Sequence, residues 1–385
     1  MTTPSTARAQ RLPNPMQQAL ARMGIETQDF ADMAGPLGVT PKETIHSHGT
    51  LKLHHYLPLA DSVYRVPVLI VTSLVNQPYI LDLVAGQSMV EFLLRQGFDV
   101  YLIEWGKPRR EHSTLTLEDH VLQRLPECVD RVLEDSAQSE LSIIGYCVGG
   151  LLSVLYAALH AGTPQQAALK NLVCMAAPVN GDGLESLKAW MGPHFDEEAL
   201  IAQYGNVPGD WVQNALRALR PFGKLAGAMS LLNNVDKADV VKSNLRMGKW
   251  ETDNLPFPGG VFRQMVNDFV RGNKLVKGQW VIGGQRVDLG KIRMPFLHLL
   301  AQDDHITPYA SSKDLLQLVG SRDKQELIMK GGHVGLVDER ETQLRLAPHP
   351  TGQQDAAGEG RPAGHVDGVV GQLARRLHDH TRPGP

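Results

Sequence analysis

Four short stretches of this chain are almost continuously apolar: VPVLIVTSL (66–74), FDVYLIEW (98–105), ELSIIGY (140–146) and NLVCMAAP (171–178). Runs of that length without polar alternation suit strands covered on both faces, which is how parallel sheets are built. Pro67 stands near the start of its run, where a missing ladder donor is tolerated. Helical patterns lie between the runs, over 83–97 with Gly97 as the stop, around 117–135, and after Gly149. This β-α-β-α-β-α-β rhythm predicts an α/β fold with a mainly parallel, doubly wound sheet. A further segment, LKLHHYLP (51–58), alternates as a half-exposed strand does.

The rhythm breaks after Pro178 and returns about 110 residues later with MPFLHLLA (294–301), a helix around 311–318 and the strand QELIM (325–329). The intervening residues are helical patterns rich in Leu, Ala, Met and Asn, broken at Pro208, Pro221 and the PFPGG run. The expected organisation is a core of 46–179 and 291–340 with an inserted helical cap at 180–290. Residues 1–45 read as an arm on the domain, with one possible helix at 15–23. Residues 341–385 read as a partly disordered tail, Gly/Pro/Gln-rich over 348–368, that could close with a short amphipathic helix.

Composition removes several classes of function. With 38 basic against 41 acidic side chains and no basic cluster, the chain has no electrostatic footprint for nucleic acid. The first twenty residues lack the apolar core of a signal peptide, and no run approaches the length of a membrane span. Cys128, Cys147 and Cys174 are too few and scattered for a disulfide framework, so a reducing, cytoplasmic compartment is expected. Cys128 on an amphipathic helix and Cys174 in a buried strand read as core fillers. His46, His48, His54 and His55 read as surface residues on the arms of a Gly49 hairpin rather than as a metal site. Trp105 and Trp250 either line a site or pack; the sequence does not separate these.

The chemistry concentrates at Gly145-Tyr146-Cys147-Val148-Gly149-Gly150, where a buried strand meets an apolar helix. A nucleophile on such a turn needs small residues two positions to either side, and Gly145 and Gly149 supply them. The following helix places its positive end near the sulfur, which favours the thiolate that attacks acyl carbons. A base and an orienting acid are expected after later strands, in the order acid then His. Asp304, just past 294–301, and His333, beyond Gly331 and Gly332, fit, with Asp303 and His305 as alternatives to Asp304. Oxyanion donors are expected at the backbone amides of Val148 and Val75.

These residues and their neighbours resemble polyhydroxyalkanoate synthases of the short, two-subunit type. The resemblance spans about 45–340 and rests on TSLVNQPYILDL (72–83), VYLIEWG (100–106), GYCVGG, WETDNLP (250–256), the NKL to Pro295 series, DHITP (304–308) and GGHVG (331–335). It implies an α/β-hydrolase fold, a nucleophile at Cys147 and a triad completed by Asp304 and His333. It further implies polymerisation of 3-hydroxyacyl-CoA with release of CoA, which is a leaving group and not a cofactor; no cofactor or metal is expected. A second synthase subunit, a homo-oligomer and the surface of polyester granules are the implied partners. Many members carry Asp where this chain has Asn180. A Cys-type thioesterase or ester hydrolase of the same fold, and a non-catalytic granule-associated homologue, are the alternatives.

Overall fold

The computed structural model describes residues 35–219 and 238–337, together with Leu373, Arg376 and Leu377. The expected helix at 15–23 and the 348–368 stretch lie outside the described residues. Eight strands form one sheet: β1 (Lys42–His48), β2 (Leu51–Tyr56), β3 (Val68–Val71), β4 (Val100–Glu104), β5 (Leu141–Tyr146), β6 (Leu169–Met175), β7 (Phe296–Ala301) and β8 (Lys324–Met329). Their order is β1-β2-β4-β3-β5-β6-β7-β8, parallel from β4 onward, with β2 antiparallel to both of its neighbours. Every residue of β3, β5 and β7 is buried, which is why their sequences show no polar alternation. Each Val, Leu or Ile so covered contributes about 1.5–3 kcal/mol before the entropy of ordering the chain is counted.

β1 begins inside what reads from sequence as the arm. Its sequence, KETIHSH, is largely polar because it is an edge strand with no fully buried position, so no apolar period announces it. The helix expected over 83–97 is shorter than its pattern. Asp82–Val84 and Gln87–Ser88 pair as a small hairpin, and only α1 (Met89–Arg95) is helical. Ser88 sets that start, since its hydroxyl accepts from the Glu91 amide at 2.9 Å. α2 (Leu125–Ser136) continues a π-turn at Asp119–Arg124, and α3 (Val148–Leu159) is buried along its whole length.

The hairpin histidines are more engaged than a surface reading implies. His54 is buried, with Nε2 2.9 Å from Glu104 Oε2, and His46 and His48 both face the Glu127 carboxylate. His55 lies between Asp99 (2.7 Å) and Asp135 (3.1 Å) and stacks on Tyr101. Among the described residues no group of three or more His, Cys, Asp or Glu is arranged to hold a metal. Burial would lower the His55 pKa, but the hydrogen bonds and charges of Asp99 and Asp135 raise it on balance. A raised pKa stabilises the fold fully below the unfolded value, about 6.5, and the contribution fades as pH climbs through the folded value. His55→Gln is therefore expected to lower the melting temperature by about 2 °C in acid and by less in alkali. A melting-temperature gap that is constant from about pH 5 to pH 9 would contradict this.

Between β6 and β7 the chain forms α4 (Glu185–Trp190), α5 (Glu197–Tyr204), α6 (Gly209–Ala218), α7 (Ala238–Thr252), α8 (Gly259–Gln264), a π-helical turn at Met265–Arg271 and a small hairpin at 281–286. A polar knot ties the start of this insertion to the core at Asp314 and to Asn273 within the insertion. Asn180 donates to the Asp314 carboxylate and accepts from Asn273 Nδ2 at 2.9 Å, while Asn273 Oδ1 accepts from the Gly181 amide. An Asp at position 180 would set two carboxylates face to face. In place of one helix at 311–318 stand two short turns, Tyr309–Ser312 and Leu315–Leu318. Of the closing helix, Leu373, Arg376 and Leu377 are described; they are helical, and both leucines are fully buried.

Candidate active site

β5 ends in a sharp turn at the carboxyl edge of the sheet. Cys147 adopts φ 56° and ψ −125°, a conformation that L-residues avoid and that costs about 1–3 kcal/mol. The neighbouring strand holds it there, with the Cys147 amide donating to Met175 O at 2.8 Å. The glycines leave room for the turn. A Cβ at Gly145 would lie 2.5 Å from Ser153 Oγ, and one at Gly149 would lie 2.0 Å from Val71 O. Val148 opens α3, so its N–H has no acceptor within the helix and stands beside the sulfur-bearing residue.

The structure brings Asp304 and His333 together from the ends of β7 and β8. His333 Nδ1 donates to Asp304 Oδ2 at 2.7 Å, and the Cys147 sulfur is among the groups that act on the imidazole electrostatically. Since Nδ1 is taken by the carboxylate, Nε2 is the nitrogen left for the sulfur. Asp304 is itself fixed, because its Oδ1 accepts from the Ile306 and Thr307 amides at 2.8 and 2.7 Å. Asp303 and His305 are exposed and join neither partner, so Asp304 is the carboxylate at this site. All three side chains are nearly removed from solvent, with Cys147 and Asp304 at 5 % and His333 at 7 %.

Burial alone would depress the His333 pKa. The Asp304 carboxylate, the Cys147 sulfur and the hydrogen bond to Asp304 outweigh it and hold the pKa well above the ordinary histidine value. That direction favours a proton on the imidazole beside the sulfur, an arrangement suited to a nucleophilic thiolate and a proton donor for the leaving group. Cys128 and Cys174 offer no rival, since both are fully buried and burial pushes their thiol pKa values far up.

Val75 lies in the loop after β3, and its amide meets only Ser73 Oγ at 3.4 Å. The two tryptophans left open by the sequence both hold this loop: Trp105 Nε1 donates to Thr72 O and Trp250 Nε1 to Gln77 O, each at 2.9 Å. Sequence reasoning missed Tyr146. Its hydroxyl donates to the His333 carbonyl at 3.2 Å, and its ring centroid stands 5.1 Å from that of the imidazole. Burial, followed by the charges of Cys147 and Asp304, drives its pKa far up, so the phenol stays a donor. Its position next to the nucleophile was the available signal, but a strand-end aromatic gives no sign of which way it points.

Comparison with known proteins is consistent with this geometry. The alpha/beta hydrolase fold family model matches residues 66–340, and the model for the N-terminus of poly-beta-hydroxybutyrate polymerase (PhaC) matches residues 16–93. The poly(3-hydroxyalkanoate) polymerase subunit PhaC of Allochromatium vinosum is 36% identical over 316 residues, covering 81% of this chain and 87% of that protein. The subunit of the same name from Synechocystis sp. is 35% identical over 323 residues, covering 81% and 83%. That of Haloferax mediterranei is 36% identical over 303 residues, covering 78% of this chain but 61% of its own greater length. With a fold-family match across most of its length and relatives of this identity and coverage, the chain belongs to the PhaC family of poly(3-hydroxyalkanoate) polymerase subunits, within the α/β-hydrolase superfamily.

Proposed function

We propose that this chain is the catalytic subunit of a polyhydroxyalkanoate synthase, an acyltransferase that polymerises 3-hydroxyacyl-CoA through a thioester on Cys147. The observation that carries the reading is a cysteine on a strained strand-to-helix turn, gathered with a hydrogen-bonded His333–Asp304 pair in one buried site. The Cys147 thiolate attacks the thioester carbonyl of the substrate. The Val148 and Val75 amides stabilise the oxyanion, the C–S bond to CoA breaks, and the proton on His333 leaves with the CoA thiol. His333, now neutral, accepts the proton of an incoming hydroxyl group, whose oxygen attacks the acyl-Cys147 carbonyl. Each cycle forms one ester bond and regenerates the thiolate.

A thioester suits this sequence because it keeps enough acyl-transfer potential for an alcohol to displace it. The insertion at 180–290 serves as a cap that keeps water from diverting the intermediate to hydrolysis. The side chains and amides named here supply the chemistry, with CoA arriving and leaving as part of the substrate and no further cofactor or metal required. The relatives are named as polymerase subunits, which supports action with a second subunit; an oligomer working in the cytoplasm at the surface of a polyester granule belongs to the same proposed reading. No helix among the described residues is long and apolar enough to cross a membrane.

The test is to incubate the purified chain with 3-hydroxybutyryl-CoA, follow CoA release and size the acyl product. High-mass polyester is the expected product. Accumulation of free 3-hydroxybutyrate instead would replace the synthase with a thioesterase, and a Cys147 inert to both substrate and thiol reagents would point to a non-catalytic homologue.

A further inference from the structure

The WETDNLP stretch takes no part in the chemistry above, yet it lies along the loop that carries Val75. Leu255 N donates to Val75 O at 2.9 Å, and Asn76 Nδ2 donates to Asn254 Oδ1 at 2.7 Å. Trp250 Nε1 donates to Gln77 O at 2.9 Å, and the Tyr79 hydroxyl donates to Asp253 Oδ2 at 3.1 Å. Asn76 and Asn254 also face each other as an isolated antiparallel bridge.

Hydrogen bonds from the core reach the loop only as far as Thr72 among the described residues; beyond it Leu74 and Val75 pack their side chains into the core, which leaves the backbone there to other partners. Thr72 donates from Oγ1 to Ile103 O at 2.7 Å and accepts at its carbonyl from Trp105. Over 73–77, among the described residues, hydrogen bonds come from 250–255 and from the Ser73 hydroxyl, whose 3.4 Å contact with the Val75 amide is weak. The orientation of the Asn254 amide is set by its own chain. Its Nδ2 donates to Glu251 O at 2.9 Å, which leaves Oδ1 for Asn76.

We propose that Asn254 is a positioning residue for acyl transfer, acting through Asn76 to hold the Val75 N–H where the oxyanion forms. This deepens the function proposed above and rests on its assignments of Cys147 and Val75. An oxyanion donor works through placement, and an error of about 1 Å costs on the order of 100-fold in rate. The cap thereby does more than cover the site: one of its segments completes the hole.

The experiment compares the wild-type chain with Asn254→Ala and Asn254→Asp. Asn254→Ala removes the acceptor for Asn76, whereas Asn254→Asp keeps an oxygen there. Single-turnover formation of acyl-Cys147 from 3-hydroxybutyryl-CoA is read by mass spectrometry, and alkylation of Cys147 by iodoacetamide is read in parallel. Alkylation attacks a saturated carbon and develops no oxyanion, so it reports the thiolate and His333 without the hole. Asn254→Ala is expected to slow acylation about 10- to 100-fold with KM changed less than about twofold, while alkylation stays at the wild-type rate. Asn254→Asp keeps the acceptor for Asn76 but loses the bond to Glu251 O, so it is expected to slow acylation less than Asn254→Ala does, with alkylation at the wild-type rate. An Asn254→Ala enzyme that acylates at the wild-type rate overturns the proposal. So does one that loses acylation and alkylation together, because that marks a general structural role. A wild-type chain alkylated but never acylated at Cys147 overturns the underlying function, and this inference with it.

Discussion

Cys147→Ala is expected to abolish CoA release from 3-hydroxyacyl-CoA, a loss of at least about 10⁴-fold, and to yield no acyl-enzyme. The fold should survive the change. Alanine meets the same φ of 56° that cysteine does, so the turn's strain is common to both and the Met175 carbonyl still receives the residue 147 amide. What disappears is the only thiol beside the imidazole; Cys128 and Cys174 are sealed in the core and cannot replace it. Cys147→Ser tests a finer point. A serine at the turn would form an oxygen ester, which resists attack by a second hydroxyl more than a thioester does, so chain growth should fall even where a first acylation persists. CoA release by Cys147→Ala above about one hundredth of the wild-type rate would place the nucleophile elsewhere. Size analysis of the product, alongside the thermal midpoint of each variant, separates chemistry from misfolding.

The elements that a sequence discloses are those whose local pattern is their structural cause. The runs at 66–74, 98–105, 140–146 and 171–178 are apolar because β3 to β6 are covered on both faces, so reading the pattern is reading the burial. The Gly145–Gly150 turn is legible for the same reason: small residues are there because backbone and side-chain atoms stand within 3 Å of where a Cβ would be. β1 is not legible, since an edge strand with no fully buried residue leaves no period. The choice among Asp303, Asp304 and His305 is not legible either. It is made by two backbone amides and by the reach of a loop 29 positions away, neither of which leaves a trace in residue type. The pairing of Asn76 with Asn254 spans 178 positions and joins two loops, and nothing local in either loop encodes it. The His54 and His55 environments were misread because alternation assigns a face to a residue but not the carboxylate that waits on the neighbouring strand.

Asp304→Asn is expected to cut turnover by about 10³- to 10⁴-fold with little loss of stability, through the tautomer of His333. The wild-type carboxylate accepts on both oxygens, from the Ile306 and Thr307 amides at Oδ1 and from His333 Nδ1 at Oδ2. An asparagine has one acceptor and one donor at those places. Two backbone N–H groups leave no place for its amide nitrogen, so its oxygen must face them and its NH₂ must face the imidazole. Nδ1 can then only accept, the ring proton moves to Nε2, and the nitrogen that should take a proton from the attacking hydroxyl is occupied. The positive charge on His333 is lost as well, because the Asp304 carboxylate is the largest influence raising its pKa. Activity should therefore fall steeply at neutral pH, while iodoacetamide alkylation of Cys147 becomes more dependent on added alkali than in the wild type. Asp304→Ala removes the clash along with the acceptor and frees the ring to rotate, so it should retain more activity than Asp304→Asn. The ranking wild type, Asp304→Ala, Asp304→Asn, measured as kcat across pH, is the signature of tautomer control; equal losses in the two variants would reduce Asp304 to a source of negative charge.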